Sequence, residues 1–249
     1  MRRSPQPLLR GPIQDANRAS EFVRRSIQQP VPVHPNDGIG IAQLLDRMRG
    51  GGVLPLGGTS WEMLKPIRIL RVIGFSGQVS LLSAEPWTAL SLRVFDNLAD
   101  PLIEVNRNGT TIKGFHLAHI GQSGRTVSGP AIYVHDCNDI LIEDCTFGAV
   151  RTAIKLVNCL RVRLRGLTFT VAPTHDAFQF QTVISASMTG CLVIESTGGN
   201  EVVLDAGCQR VVIAGNDLGV TGVISGASLG LGNRPVLGDT SLNVCGSVT

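Results

Sequence analysis

The stretch that decides the fold is RVRLRGLTF, residues 161–169. Apolar residues at Val162 and Leu164 alternate with arginine, which is the period-two pattern of a strand with one buried face. Gly166 interrupts the alternation, and a second apolar pair follows at once in LTF. A glycine between two short strand patterns predicts a sharp corner, because glycine adopts backbone conformations that most residues avoid.

This pattern recurs along the chain every 22–25 residues from residue 139 onward. The aligned stretches are GTTIKGFHL (109–117), DILIEDCTF (139–147), SASMTGCLV (185–193) and RVVIAGNDL (210–218). The corner column contains Gly114, Asp144, Gly166, Gly190 and Gly215. Glycine and aspartate both tolerate a left-handed or bent backbone, so we expect one corner in each repeat.

Each repeat also contains an earlier strand pattern: AIYV (131–134), AIKL (153–156), AFQF (177–180) and EVVL (201–204). Three short strands in a period of 22–25 residues predict an all-β fold, a single-stranded parallel β-helix with three sheets. The usual chirality of parallel crossovers predicts a right-handed helix. Leucine-rich repeats are the alternative for LVNCLRVRL (156–164), but they need a helical segment in each repeat.

The cysteines fit internal columns of such a solenoid. Cys137, Cys159 and Cys208 occupy one column, and Cys145 and Cys191 occupy another. We expect them to be buried packing thiols, since neither column has metal-ligand partners nearby in the sequence. A disulfide between Cys137 and Cys159 is geometrically conceivable, although a reducing compartment opposes it.

A cap is predicted before the repeats, in DGIGIAQLLDRMRGGGVLPLGGTSW (37–61), as a helix followed by glycines 50–52 and the strand VLPL. The segment resembles the N-terminal region of the pectate-lyase-like β-helix superfamily, which includes phage tailspikes. The matching residues are Asp37, Gly38, Ala42, Gln43, Leu44, Gly51, Gly52, Val53, Pro55 and Gly57. With the repeats, the resemblance covers about residues 36–225.

The resemblance implies either calcium-assisted cleavage of acidic polysaccharides or their hydrolysis by clustered carboxylates, and both need carboxylates from adjacent coils on one outer sheet. Asp176, beside His175 at a strand entrance, is a weak candidate, because no second carboxylate occupies its column and a turn-capping role explains it. An arginine base among Arg161, Arg163 and Arg165 lacks the acidic calcium cluster that it would accompany. His116 and His119 are expected to point differently, so we predict no metal site and no cofactor.

Residues 1–35 form a predicted N-terminal arm, which is basic and ends in the proline-rich linker QQPVPVHP (28–35). Its DANRASEFVRRSI stretch (15–27) predicts a short helix that is too short to be stable alone and orders on a partner. The expected partner-binding residues are Arg2, Arg3, Arg10, Arg18, Phe22, Val23, Arg24, Arg25 and Ile27. Nucleic acid is a poor candidate partner, because Phe22 is the arm's only aromatic residue and there is no strong Lys/Arg run.

The predicted organisation is an arm (1–35), a cap with the first coils (36–99), β-helix repeats (100–225) and a glycine-rich C-terminal cap or oligomerisation segment (226–249). We expect no membrane span and no secretory signal, and hence synthesis in a host cytoplasm. By the resemblance, the expected function is a structural virion protein of a bacteriophage: a capsid decoration, head fibre or short tail spike. It would form a homotrimer, dock on capsid or tail proteins through residues 1–35, and bind a host-surface polysaccharide. The alternatives are a polysaccharide depolymerase and a bacterial adhesin-like solenoid.

Overall fold

A computed structural model of the chain describes residues 51–56, 61–63, 66–71, 78–83, 88–93, 99–120, 128–194, 196–219, 223–226 and 247–248. The chain divides into two units, Met1–Val33 and His34–Thr249, and the described residues all belong to the second. The predicted arm (1–35), the predicted capping helix (37–49) and most of the C-terminal segment (226–249) lie outside the described residues.

The described residues contain twenty strands, numbered β1 to β20 along the chain, in three sheets. Sheet A contains β1 (Gly52–Leu56), β4 (Val79–Ser83), β7 (Thr111–Lys113), β10 (Asn138–Glu143), β13 (Leu160–Arg165), β16 (Ile184–Thr189) and β18 (Val212–Ala214). Sheet B contains β2 (Trp61–Met63), β5 (Thr88–Arg93), β8 (Phe115–Ile120), β11 (Thr146–Phe147) and β14 (Thr168–Phe169). Sheet C contains β3 (Ile67–Leu70), β6 (Ile103–Asn106), β9 (Pro130–His135), β12 (Thr152–Val157), β15 (Phe178–Gln181), β17 (Val202–Leu204), β19 (Val223–Gly226) and β20 (Ser247–Val248).

The fold is all-β, and every strand pairing in the three sheets is parallel. From β1 to β15, successive strands enter sheets A, B and C in turn, so three strands make one coil. No helix occurs in the described residues, which argues against leucine-rich repeats because those need a helical segment in each repeat. The described residues accordingly include no helix that is long and apolar enough to cross a membrane.

The register of sheet A confirms the alignment of the opening stretch. Val162 pairs with Ile140 in the preceding coil and with Ala186 in the following one. Leu164 likewise pairs with Ile142 and with Met188. All six side chains are buried, at no more than 3% exposure. The predicted inward columns are therefore stacked rows of one hydrophobic core, in which each coil buries its neighbours' apolar surface.

Sheet C confirms the columns predicted for the earlier strand. Ile154 pairs with Ile132 and Phe178, and Leu156 pairs with Val134 and Phe180. The next coil adds Val202 and Leu204 to the two columns. Aromatic packing continues the core toward sheet B, where the rings of Phe147 and Phe169 lie 5.1 Å apart and those of Phe169 and Phe178 lie 5.7 Å apart.

The predicted corner is present in every aligned repeat. Gly114, Asp144, Gly166, Gly190 and Gly215 have φ values of 80°, 53°, 58°, 63° and 64°. Each of these residues follows a strand of sheet A, and a strand of sheet B comes after Gly114, Asp144 and Gly166. All five adopt the left-handed conformation that glycine accepts most readily. The interruption at Gly166 in RVRLRGLTF is therefore one corner of a repeated coil.

Candidate functional site

Asp176, the weak catalytic candidate from the sequence, holds the following coil in place. One of its carboxylate oxygens accepts a hydrogen bond from the backbone N–H of Asn200 at 2.9 Å, and the other accepts one from the Gln179 side-chain amide at 2.9 Å. The His175 ring nitrogen Nδ1 lies 3.2 Å from the same carboxylate. These contacts use the oxygens of Asp176 for turn and inter-coil bonding.

The described cysteines are buried free thiols, as the column argument predicts. Cys137, Cys145, Cys159, Cys191 and Cys208 are all unpaired and no more than 3% exposed. Burial raises the pKa of the Cys145 thiol to about 12 and that of Cys191 to about 11. These groups are therefore protonated and poorly nucleophilic at neutral pH.

The two histidines of β8 lie in different environments. His119 is buried at 7% exposure, whereas His116 is half-buried. Burial lowers the pKa of both, and that of His119 falls to about 4. Among the residues that the structure describes, no group of three His, Cys, Asp or Glu side chains is arranged to hold a metal ion.

A polar network that the sequence pattern does not predict crosses the outer face of sheet C. We call Arg68, Glu104, Tyr133, His135 and Asp136 the His135 cluster. The Arg68 guanidinium lies 3.0 Å from the Glu104 carboxylate, and another oxygen of Glu104 lies 3.3 Å from Nε2 of His135. Nδ1 of His135 lies 2.9 Å from the Asp136 carboxylate. The tyrosine ring stacks on the imidazole, with centroids 4.8 Å apart and an interplanar angle of 21°.

The register of three adjacent strands brings this cluster together. Arg68 of β3 pairs with Glu104 of β6, and Glu104 pairs with Tyr133 of β9. His135 lies two residues after Tyr133 on the same strand, so both side chains emerge on the outer face. Asp136 follows at the turn with a φ of 49°, a conformation that aspartate tolerates better than most residues.

The electrostatics of the cluster are dominated by its two carboxylates. The hydrogen bond from His135, followed by that from Asn158 at 3.0 Å, lowers the pKa of the Asp136 carboxyl. Partial burial, followed by the charges of Asp136 and Glu104, raises the pKa of the Tyr133 hydroxyl. A protonated imidazole donates to both carboxylates, while a neutral one has a single N–H. The imidazole bridges the two carboxylates, and its Nδ1 also lies 3.1 Å from the side-chain amide nitrogen of Asn106.

The outer face of sheet A contains pairs of opposite charge on neighbouring strands. Lys113 Nζ lies 3.0 Å from Glu143 and 3.3 Å from Asp144, which raises the pKa of the lysine. Arg161 donates two hydrogen bonds to Asp139, of 2.5 and 2.7 Å, and these lower the pKa of the Asp139 carboxyl. Exposed pairs of this kind contribute little to stability, and the described residues show no acidic cluster beside Arg161, Arg163 and Arg165 that could hold calcium.

The nine residues predicted to bind a partner, from Arg2 to Ile27, all fall within 1–35 and lie outside the described residues. In the His135 cluster, the repeat makes only the outward position of Tyr133 accessible to sequence reasoning. Applying the repeat to the outward positions of the earlier strand places Tyr133, Lys155 and Gln179 in one row.

The fold and these outer faces define an all-β protein of three stacked parallel sheets with polar, solvent-facing surfaces. Its structure is similar to that of a protein from Parabacteroides merdae ATCC 43184 that is proposed to be a glycosyl hydrolase, with a TM-score of 0.50 and 15% identity over 73% of this chain and 88% of that one. It is also similar to ORF18 of Geobacillus virus E2, with a TM-score of 0.46 and 12% identity over 87% of this chain and 60% of the viral one. No protein-family model matches the chain, and no curated protein matches it. The similarity to the Parabacteroides protein concerns the fold.

Proposed function

We propose that this chain is a right-handed, single-stranded parallel β-helix of the pectate-lyase-like type. The support is the cyclic order of the strands through sheets A, B and C and the parallel register of each coil on the next. Connections between parallel strands of one sheet are almost always right-handed, which gives the hand of the helix. The residues within 37–57 that match the superfamily's N-terminal region support the pectate-lyase-like type and its capping helix.

The function that this geometry supports best is that of a structural protein of a bacteriophage particle that binds a surface glycan. The observation that carries glycan binding is the His135 cluster on the outer face of sheet C. Sugars present many hydroxyls, and the carboxylates, imidazole and guanidinium of the cluster offer acceptors and donors at fixed positions on rigid strands. Tyr133, the only tyrosine of the chain, adds an apolar ring with a polar tip.

Glycan binding is tested with the full chain on an array of bacterial surface polysaccharides. Tyr133→Ala and Glu104→Gln are expected to weaken the binding of the recognised glycan at least tenfold. Gln181→Ala is the matched control, because Gln181 is exposed on the same sheet two strands from His135. Equal binding by all three variants and the parent chain would remove the cluster as the binding site.

Attachment to the particle is assigned to residues 1–35, whose basic and proline-rich composition suits an extended docking segment. Capsid or tail proteins are the proposed partners, and the virion is the proposed location, after synthesis in the host cytoplasm. The test is deletion of 1–35: the shortened chain should fold normally and be absent from purified particles. Incorporation at the normal level would overturn this assignment.

The proposed oligomeric state is a homotrimer, to which the glycine-rich segment 226–249 contributes. Light scattering of the purified chain should then give about three times the 26.5 kDa of one chain. A monomer at all concentrations would contradict the trimeric spike and would direct the search for ligands to the single solenoid.

A second candidate function is polysaccharide depolymerisation, and one observation favours it. Glu104 and Asp136 contact opposite nitrogens of one imidazole, which is an arrangement suited to general acid–base catalysis. If the chain cleaves its glycan, Glu104→Gln should abolish the release of reducing ends while Asp176→Asn retains it. Loss of cleavage in Asp176→Asn, with Glu104→Gln active, would move the catalytic site to Asp176.

A further inference from the structure

A second column of left-handed residues crosses sheet A, at or just before the beginning of its strands. Asp139, Arg161, Ser185 and Arg210 have φ values of 61°, 57°, 60° and 53°. Arg161 occupies the position equivalent to Asp139 and Ser185, because its neighbours Leu160 and Val162 pair with the residues that flank those two. Arg210 follows Gln209, which bridges to Ile184. None of these four residues is a glycine, so each carries the cost of an unfavourable backbone conformation. Such strained positions concentrate at functional sites.

An open groove follows this column on the outer face of the sheet. Its volume is about 400 Å³, and its lining residues are Asp139, Arg161, Val162, Arg163, Ser185, Ala186, Ser187 and Arg210. Three guanidinium groups and one carboxylate therefore share the groove. A left-handed residue changes the direction of an extended chain, which accounts for a concave line across neighbouring strands.

The charges in the groove are not balanced by the protein. Asp139 is occupied by both hydrogen bonds from Arg161. Within the described part of the chain, Arg163 and Arg210 have no hydrogen-bonded or ion-paired carboxylate. Two exposed cations elsewhere on the outer faces, Arg68 and Lys113, each have one. The groove thus concentrates positive charge, whose field favours an anion.

We propose that this groove binds sulfate or phosphate ester groups of a linear polysaccharide. The guanidinium groups of Arg163 and Arg210 and the hydroxyls of Ser185 and Ser187 are donors suited to a tetrahedral oxyanion. Positions two strands apart are separated by roughly 10 Å, so the groove extends along the stacking direction as a polymer site requires. The lining residues include no aromatic side chain on which a nucleobase could stack, which favours a glycan over single-stranded nucleic acid.

The test is titration of the full chain with dextran sulfate and, as the uncharged control, with dextran of equal length. Dextran sulfate should bind with an affinity that falls as salt increases, and dextran should not bind. Inorganic sulfate and inorganic phosphate, used separately as competitors, identify which ester the groove prefers. Binding of both polymers with equal affinity would overturn the proposal.

The variants locate the site. Arg163→Gln and Arg210→Gln should each lower the affinity for dextran sulfate at least tenfold. Arg165→Gln makes the same charge change on the same strand outside the groove and should lower it less than threefold. Asp139→Asn keeps a residue that tolerates the left-handed backbone, releases Arg161 and should raise the affinity.

Three results would contradict the proposal, given circular dichroism spectra that match the parent chain. These are an equal loss of affinity in Arg165→Gln and Arg163→Gln, an unchanged or lower affinity in Asp139→Asn, and tighter binding of double-stranded DNA than of dextran sulfate at matched charge. The groove lies on sheet A and the His135 cluster on sheet C. Tyr133→Ala should therefore leave dextran sulfate binding intact, whatever the fate of the proposed function.

Discussion

His119 should make the stability of this protein fall on mild acidification. The residue lies in β8 at 7% exposure, and neither of its ring nitrogens has a hydrogen-bond partner. Burial lowers the pKa of the imidazole from 6.5 to about 4, because the charged form is poorly solvated inside the core. The unfolded chain exposes the same imidazole to water.

The sign and size of the effect follow from these two pKa values. Between pH 6.5 and pH 4 the unfolded state binds a proton that the folded state excludes, so the free energy of unfolding falls as the pH falls. At about 1.4 kcal/mol per pH unit, the complete loss is about 3 kcal/mol. About 2 kcal/mol of it should be lost between pH 7 and pH 5. The lowered pKa values of Asp136 and Asp139 affect stability only below their ordinary value of 3.8, outside this window.

The assay is urea unfolding of the parent chain and of His119→Leu at pH 7 and pH 5. The variant removes two buried polar atoms that have no partner, so it should be more stable at pH 7 by roughly 1 kcal/mol or more, and it should lose the pH dependence that His119 causes. His116→Leu on the same strand should show a smaller effect, because His116 is only half-buried. An equal fall in stability between pH 7 and pH 5 for the parent chain and His119→Leu would refute the reasoning.

Two further predictions concern the packing of the coils. Gly199→Ala should destabilise the chain more than Gly215→Ala, as measured by thermal unfolding. A Cβ atom at 199 would lie 2.6 Å from the backbone nitrogen of Asp176, whereas a Cβ at 215 meets nothing within 4 Å and costs only the left-handed strain of about 1 kcal/mol. Cys145 and Cys191 should resist maleimide at pH 7 in the folded chain and react in denaturant, as followed by mass spectrometry. Rapid labelling of either thiol in the folded chain would contradict its burial.

The interior of the fold was predictable because its signals repeat. Apolar residues at period two, as at Val162 and Leu164, must face the core, and the spacing of 22–25 residues gives the register between coils. The corner was predictable because Gly166 and its equivalents have a residue type that matches their conformation. Every coil must bury its inward side chains and turn at its corner, so the same types of residue recur at these positions in each coil.

The outer sites were less predictable, since their contacts join different residue types from neighbouring coils. Glu104 and His135 are thirty-one residues apart and meet only because β6 and β9 pair in one register. The left-handed column of sheet A carries aspartate, arginine and serine, and an arginine at a left-handed position has no signature in the sequence. Side-chain direction at Arg161 is therefore set by a backbone conformation that the alternating pattern does not reveal.

Repetition also explains where functional residues are expected on the outer faces. They are expected where a column of paired opposite charges is interrupted by a different type of residue. A column that alternates in charge, such as Lys113, Glu143 and Arg165, neutralises itself between neighbouring strands and offers little to a ligand. The neighbouring column also begins with a pair of opposite charges, Asp139 and Arg161. In the next coil, Ser185 occupies the position where a second carboxylate would continue this pairing. Arg210, one coil further, is left without a counterion in the described part of the chain, and it lies at the groove with the unpaired Arg163. The interruption of the charge pairing is what distinguishes this surface from an ordinary solvated sheet face.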